Sequence, residues 1–204
     1  MSNLNTFHTL NERVRKYKAD NTVESMGLAF DCVALEIILN LSADEIEDAI
    51  TDGAMDGGID AIHVIDRDVH VFNFKYTDSF EQTKKNFPET ETNKLLVTVD
   101  GILTRTVKQK NVNQILWEKA LEIWDLFEKG GPLNFKFYFC SNKKKLNKHA
   151  RERLEQHLGK YKYVDFYYLD QDELVSRLLE NKLNKVSGEI NFIDLNYLTE
   201  AMAR

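Results

Sequence analysis

Between residues 50 and 76 the chain changes its hydrophobic period, and that change limits what it can fold into. Apolar residues up to Ile50 recur at helical spacing, after which Gly53, Gly57 and Gly58 interrupt the pattern. Two runs of period two follow, Ile59-Asp-Ala-Ile-His-Val-Ile65 and Val69-His-Val-Phe-Asn-Phe-Lys-Tyr76, on either side of a polar Asp66-Arg67-Asp68. Runs rich in β-branched and aromatic residues around a short polar turn predict a β-hairpin, which excludes an all-helical fold.

The hairpin has a chemical consequence. A turn at 66–68 brings positions whose numbers sum to about 134 opposite each other, so Asp60 faces Asn73 to Lys75. Side chains alternate along a strand, so Asn73 and Lys75 share one face while Phe72 and Phe74 take the other. A register that sets Asp60 across from Asn73 or Lys75 gathers a carboxylate, an amide and an amine, and where the paired numbers sum to 134 a bulge is needed to achieve it. Such a set suits phosphodiester cleavage. A carboxylate such as Asp60 holds a hard cation, Mg²⁺ or Mn²⁺; Asn73 offers a neutral oxygen ligand; and Lys75 orients the attacking water and stabilises charge on the phosphorus.

The remaining segments predict helices at Leu10–Lys18 and Thr22–Leu41 and a short one after the capping box Ser42-Ala-Asp-Glu45. After the hairpin come helices at Pro88–Leu103 and Val112–Lys129, a strand at Phe135–Cys140, a basic helix at Leu146–Leu158, a strand at Tyr163–Leu169 and a helix at Asp172–Leu183. This order predicts an α/β sandwich with a small central mixed sheet, the hairpin carrying the site and helices on both faces. Residues 1–187 read as one domain. Residues 188–204, opening Gly-Glu-Ile-Asn-Phe-Ile-Asp-Leu, read as a C-terminal tail or the start of a truncated second domain.

Composition sets the surroundings. Two cysteines, Cys32 and Cys140, lie in apolar segments without a CxxC neighbour and read as buried thiols, which predicts a reducing compartment and a cytoplasmic protein. No apolar run approaches the roughly 18 residues that span a bilayer, so no membrane partner is expected. The net charge of −6 argues against nucleic acid at first sight, but the charge is unevenly spread. Residues 1–60 hold 4 Lys/Arg against 12 Asp/Glu, whereas residues 132–162 hold 9 against 2. Lys143, Lys144, Lys145, Lys148 and Arg151 are therefore candidate nucleic-acid contacts; the lysine run is expected to open a helix, where positive charge is not stabilising.

Several stretches together carry a family resemblance: Ala29-Phe30-Asp31 with Glu36, Asp52-Gly53, Asp56-Gly-Gly-Ile-Asp60-Ala-Ile, Asn73-Phe-Lys75, and Phe87-Pro-Glu89 followed by Asn93-Lys94-Leu95. Over roughly residues 29–95 the chain resembles the restriction-endonuclease-like PD-(D/E)XK nucleases, in particular Mrr-like restriction enzymes and the N-terminal domains of abortive phage infection (AIPR-type) proteins. The resemblance implies an endonuclease dependent on Mg²⁺ or Mn²⁺, acting on DNA in defence against phage or foreign DNA. It implies a metal-binding Asp60, a catalytic Lys75, and a helix-borne acid, Glu36 or Asp31, facing the metal; Asp56, Glu89 and Lys94 fall within the matching stretches. Many enzymes of this fold cut both strands as dimers, so a homodimer is among the implied partners. The family has Glu, Asp or Gln two residues before the lysine, where this chain has Asn73. That departure leaves open a second reading, a catalytically inactive nuclease-fold module for nucleic-acid or protein binding.

Plainer readings stand beside these. Asp56-Gly-Gly suits a turn, Glu89 suits the positive end of a helix, and His63 and His70 suit packed or surface histidines. The aromatics of Phe135–Phe139 and Tyr163–Tyr168 suit a sheet core better than base stacking.

Overall fold

The computed structural model describes residues 3–189, and side chains to residue 181. Its centre is a four-stranded sheet in the order β1 (Ala61–Ile65), β2 (Asp68–Lys75), β3 (Asn134–Ser141) and β4 (Val164–Leu169). β1 and β2 are the expected antiparallel hairpin, whereas β2–β3 and β3–β4 run parallel. Parallel neighbours need a crossover, and here helices supply it. The chain leaves β2 through α4 (Phe80–Thr83), α5 (Glu89–Leu103) and α6 (Gln114–Glu128), and returns from β3 to β4 through α7 (Lys148–Leu158). α1 (Leu4–Asn21), α2 (Met26–Leu39) and α3 (Ala43–Ala49) precede the sheet, and α8 (Gln171–Glu189) follows it. The architecture is α/β, a mixed sheet flanked by helices.

Strand alternation divides the core in two. Ile62, Val69, Val71, Phe135, Phe137 and Phe139 pack against Leu95, Val99, Leu116, Ile123 and Leu154 of α5, α6 and α7. Ala61, Phe72, Phe74, Tyr138, Cys140 and Leu169 pack against Leu10, Phe30, Val33, Ile46 and Leu174 of α1, α2, α3 and α8. Aromatic rings form rows across the strands: Tyr138 lies 4.5 Å from Phe72 and 4.7 Å from Tyr167 between ring centroids, in stacked geometry. Removing a fully buried ring such as Phe72 or Phe137 costs about 3–5 kcal/mol. α2 is sandwiched between the sheet and other helices, which explains why it is apolar on most of its surface. No single helix among the described residues is long and apolar enough to cross a membrane.

Most element boundaries differ from the sequence-based expectations for local reasons. The second helix begins at Met26, because the Ser25 side chain accepts from Leu28 N–H and Thr22 adopts a left-handed conformation that ends α1. Pro88 is the residue before α5 and not its first turn. One expectation is corrected: Lys143–Lys145 do not open a helix. α7 starts at Lys148, capped by Asn147, whose side chain accepts from Ala150 N–H, and the lysines occupy the loop leaving β3. Cys32 and Cys140 are both free and buried. The 188–204 segment falls almost wholly outside the described residues, although α8 itself continues to Glu189.

Candidate metal and phosphodiester site

A loop folded tightly on itself builds the acidic edge of the sheet. After α3, Thr51 and Asp52 N–H both donate to the Asp60 carbonyl, at 3.0 and 3.1 Å, and Thr51 Oγ1 donates to the Ile59 carbonyl at 2.6 Å. Asp56 closes the intervening turn by accepting from Gly58 N–H at 2.7 Å through Oδ1. α6 pins the same loop from outside, because Asn113 N–H donates to the Met55 carbonyl and Asn113 Nδ2 to the Thr51 carbonyl. As a result one carboxylate oxygen each from Asp52, Asp56 and Asp60 lie within 4.8 Å of one another.

The glycines have a packing role here. Gly58 has φ +79°, and a Cβ on it would lie 3.0 Å from Leu95 N and from Lys94 Cβ; on Gly57, at φ +64°, it would lie 2.2 Å from Thr98 Oγ1. Their lack of side chains lets α5 seat directly on the loop, where Thr98 Oγ1 donates to the Gly57 carbonyl at 2.9 Å. That contact carries the first turn of α5, with Glu91, to the end of β2.

Strand geometry brings in the rest. The hairpin pairs Ala61 with Phe72, one residue from the register expected, and Asp60 N–H also donates to the Phe72 carbonyl at 2.9 Å. Asp60 and Ala61 thus both meet Phe72, the two-against-one arrangement of a bulge. The Asp60 carboxylate turns back to accept from Phe74 N–H at 2.5 Å. Asn73 is fully buried; its Nδ2 donates to the Gly58 carbonyl at 2.7 Å, while its Oδ1 has no hydrogen-bond partner. Lys75 ends β2 with Nζ 3.6 Å from Glu91 Oε2. Glu91 also meets Lys94 Nζ at 3.8 Å.

Buried like charges dominate the electrostatics. Burial pushes the Asp60 carboxyl up to about 7; Lys75 and the Phe74 N–H oppose that, and Asp52 and Asp56 add to it. Asp31, on α2 and 6% exposed, is raised well above the usual carboxylate range, first by burial and then by Asp60 and Asp52. A bound divalent cation would favour the ionised form of each of these carboxyls. The donor set fits a hard divalent ion: all candidate ligands are oxygens, and an orphaned amide oxygen, Asn73 Oδ1, costs about 1–3 kcal/mol unless something binds it.

The two helix-borne acids separate. Asp31 faces Asp60 electrostatically, whereas Glu36 pairs with Arg13 and lines a different cavity of about 390 Å³ with Lys16, Asp20 and Asn40. Glu89 is held by Asn147 and by Arg153 at 3.9 Å. Lys145 pairs with Glu173 at 2.6 Å, Lys148 with Glu152 at 3.7 Å, and the Arg151 guanidinium lies 4.4 Å over the Tyr168 ring. His70 hydrogen-bonds Tyr138 Oη at 3.1 Å, and burial lowers its pKa to about 4, so it is a packed neutral histidine. Sequence reasoning did not single out Glu91, or Asp52 as a possible ligand. The Glu91-x-x-Lys94 spacing was the available signal for the first. In comparison with known proteins, no family model, curated protein or solved structure matches the chain.

Proposed function

We propose that the protein is a metal-dependent nuclease of the restriction-endonuclease-like (PD-(D/E)XK) type, hydrolysing phosphodiester bonds in DNA, with defence against phage or foreign DNA as its setting. One observation carries the reading: the buried Asp60 is coupled electrostatically to Lys75, Asp52, Asp56 and Asp31 at the end of one hairpin, whose second strand also carries Asn73 with its Oδ1 unpartnered. In this reading Asp60, Asn73 and one or both of Asp52 and Asp56 hold Mg²⁺ or Mn²⁺, with Asp31 behind them. A bound ion would supply Lewis-acid stabilisation of the charge that develops on the phosphoryl group. Lys75 Nζ orients the attacking water and donates to the phosphate; as the water oxygen–phosphorus bond forms and the bond to the leaving oxygen breaks, the water's proton passes to solvent and the leaving oxygen takes one up from solvent. Glu91 acts through Lys75, holding its Nζ at the end of β2.

Asn73 favours one second reading, a nuclease-fold module without turnover that binds nucleic acid or protein, because a neutral amide attracts a cation less than a carboxylate does. Calorimetry with Mn²⁺, followed by incubation of plasmid with Mg²⁺ or Mn²⁺, separates the two. Cation binding with cleavage that Lys75→Ala abolishes supports the nuclease. Equal cleavage by the parent and Lys75→Ala overturns it, and duplex binding without Mn²⁺ binding or cleavage supports the module.

A further inference from the structure

Pairing between β2 and β3 continues beyond the sheet. Past the last pair, Lys75↔Ser141, Ser141 Oγ donates to the Lys75 carbonyl at 2.5 Å. Asn142 then clamps Thr77 twice, Oδ1 accepting from its N–H at 3.0 Å and Nδ2 donating to its carbonyl at 2.6 Å. Following α4 the chain returns to the same extension, where Asn86 and Lys144 form an isolated parallel bridge. Lys144 N–H donates to the Lys85 carbonyl at 3.0 Å, and the Lys144 carbonyl accepts from Phe87 N–H at 2.9 Å.

This ladder brings the backbones of Lys85, Lys143 and Lys144 together on two paired loops, with Asn86 opposite Lys144. None of the three makes an ion pair among the described residues, whereas the flanking Lys84 and Lys145 are paired with Glu81 at 2.8 Å and Glu173 at 2.6 Å. Like charges on neighbouring backbone segments repel one another, and no ion pair among the described residues offsets them. In a chain of net charge −6, such an uncompensated ridge decides where a polyanion can approach and in which orientation. At the root of the ladder stands Lys75.

We infer that Lys85, Lys143 and Lys144 form a docking ridge for the phosphate backbone of duplex DNA, which guides it to the end of β2; this rests on the nuclease reading of the Asp60–Lys75 site. The ridge replaces the basic helix as the principal contact, because Arg151 is spent on the Leu146 carbonyl and the Tyr168 ring.

The test is fluorescence anisotropy on a short labelled duplex in EDTA, with the combined Lys85→Ala/Lys143→Ala/Lys144→Ala variant compared with the parent between about 50 and 200 mM salt. Each phosphate contact contributes roughly 0.9 to the slope of log affinity against log salt, so the variant is expected to lose about 2 to 3 in slope and at least about tenfold in affinity at low salt. The corresponding Lys→Arg variant keeps the parent's slope, and Lys108→Ala/Lys110→Ala, on exposed lysines elsewhere, changes nothing. An unchanged slope in the triple alanine variant, or an equal loss in the Lys108/Lys110 control, overturns the ridge. Tighter binding of duplex RNA of the same sequence overturns the assignment to DNA. Because binding is read without divalent cations, the two proposals fail separately. A parent that cleaves in Mn²⁺ while the triple variant binds unchanged refutes the ridge alone; a parent that binds through the ridge but never cleaves refutes the nuclease alone.

Discussion

The Nζ of Lys75 lies 3.6 Å from Oε2 of Glu91, so the lysine at the end of β2 is steered by an acid from the first turn of α5. Glu91 is only 21% exposed at its side chain, and α5 reaches it over Gly57 and Gly58. In the proposed nuclease, a displaced Lys75 would lose its aim at the phosphate. Glu91→Gln is therefore expected to lower kcat on plasmid about a hundredfold while KM and Mn²⁺ affinity change little. Steady-state kinetics with calorimetry checks this; a KM effect with kcat intact would place Glu91 in binding instead.

Burial raises Asp60 to about 7 and Asp31 well above the usual range, so the folded, cation-free protein binds more protons than the unfolded chain between about pH 4 and 7. Its contribution to stability from these groups is full at low pH and is lost as pH rises through 7. A divalent cation favours the ionised carboxyls, so the rise in Tm caused by Mn²⁺ is expected to be larger at pH 8 than at pH 6. Differential scanning fluorimetry at the two pH values measures it, and Asp60→Asn is expected to remove most of the difference.

Gly58 meets backbone, at Leu95 N, where a Cβ would stand, and it has φ +79°. Gly58→Ala combines a left-handed penalty of about 1–2 kcal/mol with displacement of α5. Urea unfolding is expected to show a loss of about 2–4 kcal/mol, the overpacking adding about 1–2 kcal/mol to the backbone penalty. Cleavage is expected to fall with it, because Glu91 moves with the helix. Gly53, which has open space where a Cβ would stand, provides the comparison for strain without contact.

Asn73 donates to the Gly58 carbonyl with Nδ2 and leaves Oδ1 unpartnered. Asn73→Asp replaces the donor with an oxygen facing that carbonyl and adds a negative charge beside Asp60. The cation-free protein is expected to lose about 1–3 kcal/mol, and the stabilisation by Mn²⁺ to grow. Thermal melts with and without Mn²⁺ test both halves.

How much of this was legible in the sequence depended on whether a feature was local. The hairpin, the Ser42 capping box and the two later strands followed from period and caps, whereas their parallel pairing came from the structure. The need for a bulge was visible as a one-residue mismatch, although its location at Asp60 and Ala61 depends on Thr51 and Asp52 binding the Asp60 carbonyl. The choice between Asp31 and Glu36 was not legible, because both lie on α2 and only the positions of Arg13 and the hairpin distinguish them. Glu91 was equally hidden: its partner, Lys75, is on a different element, and the approach depends on glycines that read as a turn. The lysine run was misplaced into a helix because Asn147, the cap, comes after it.

The most direct test of the site is anomalous diffraction from crystals grown with Mn²⁺. A peak within about 2.0–2.4 Å of an Asp60 carboxylate oxygen and Asn73 Oδ1, with Asp52 or Asp56 completing the shell, is the expected result. A fully occupied Mn²⁺ elsewhere, with Asn73 Oδ1 left without a partner, would contradict the assignment.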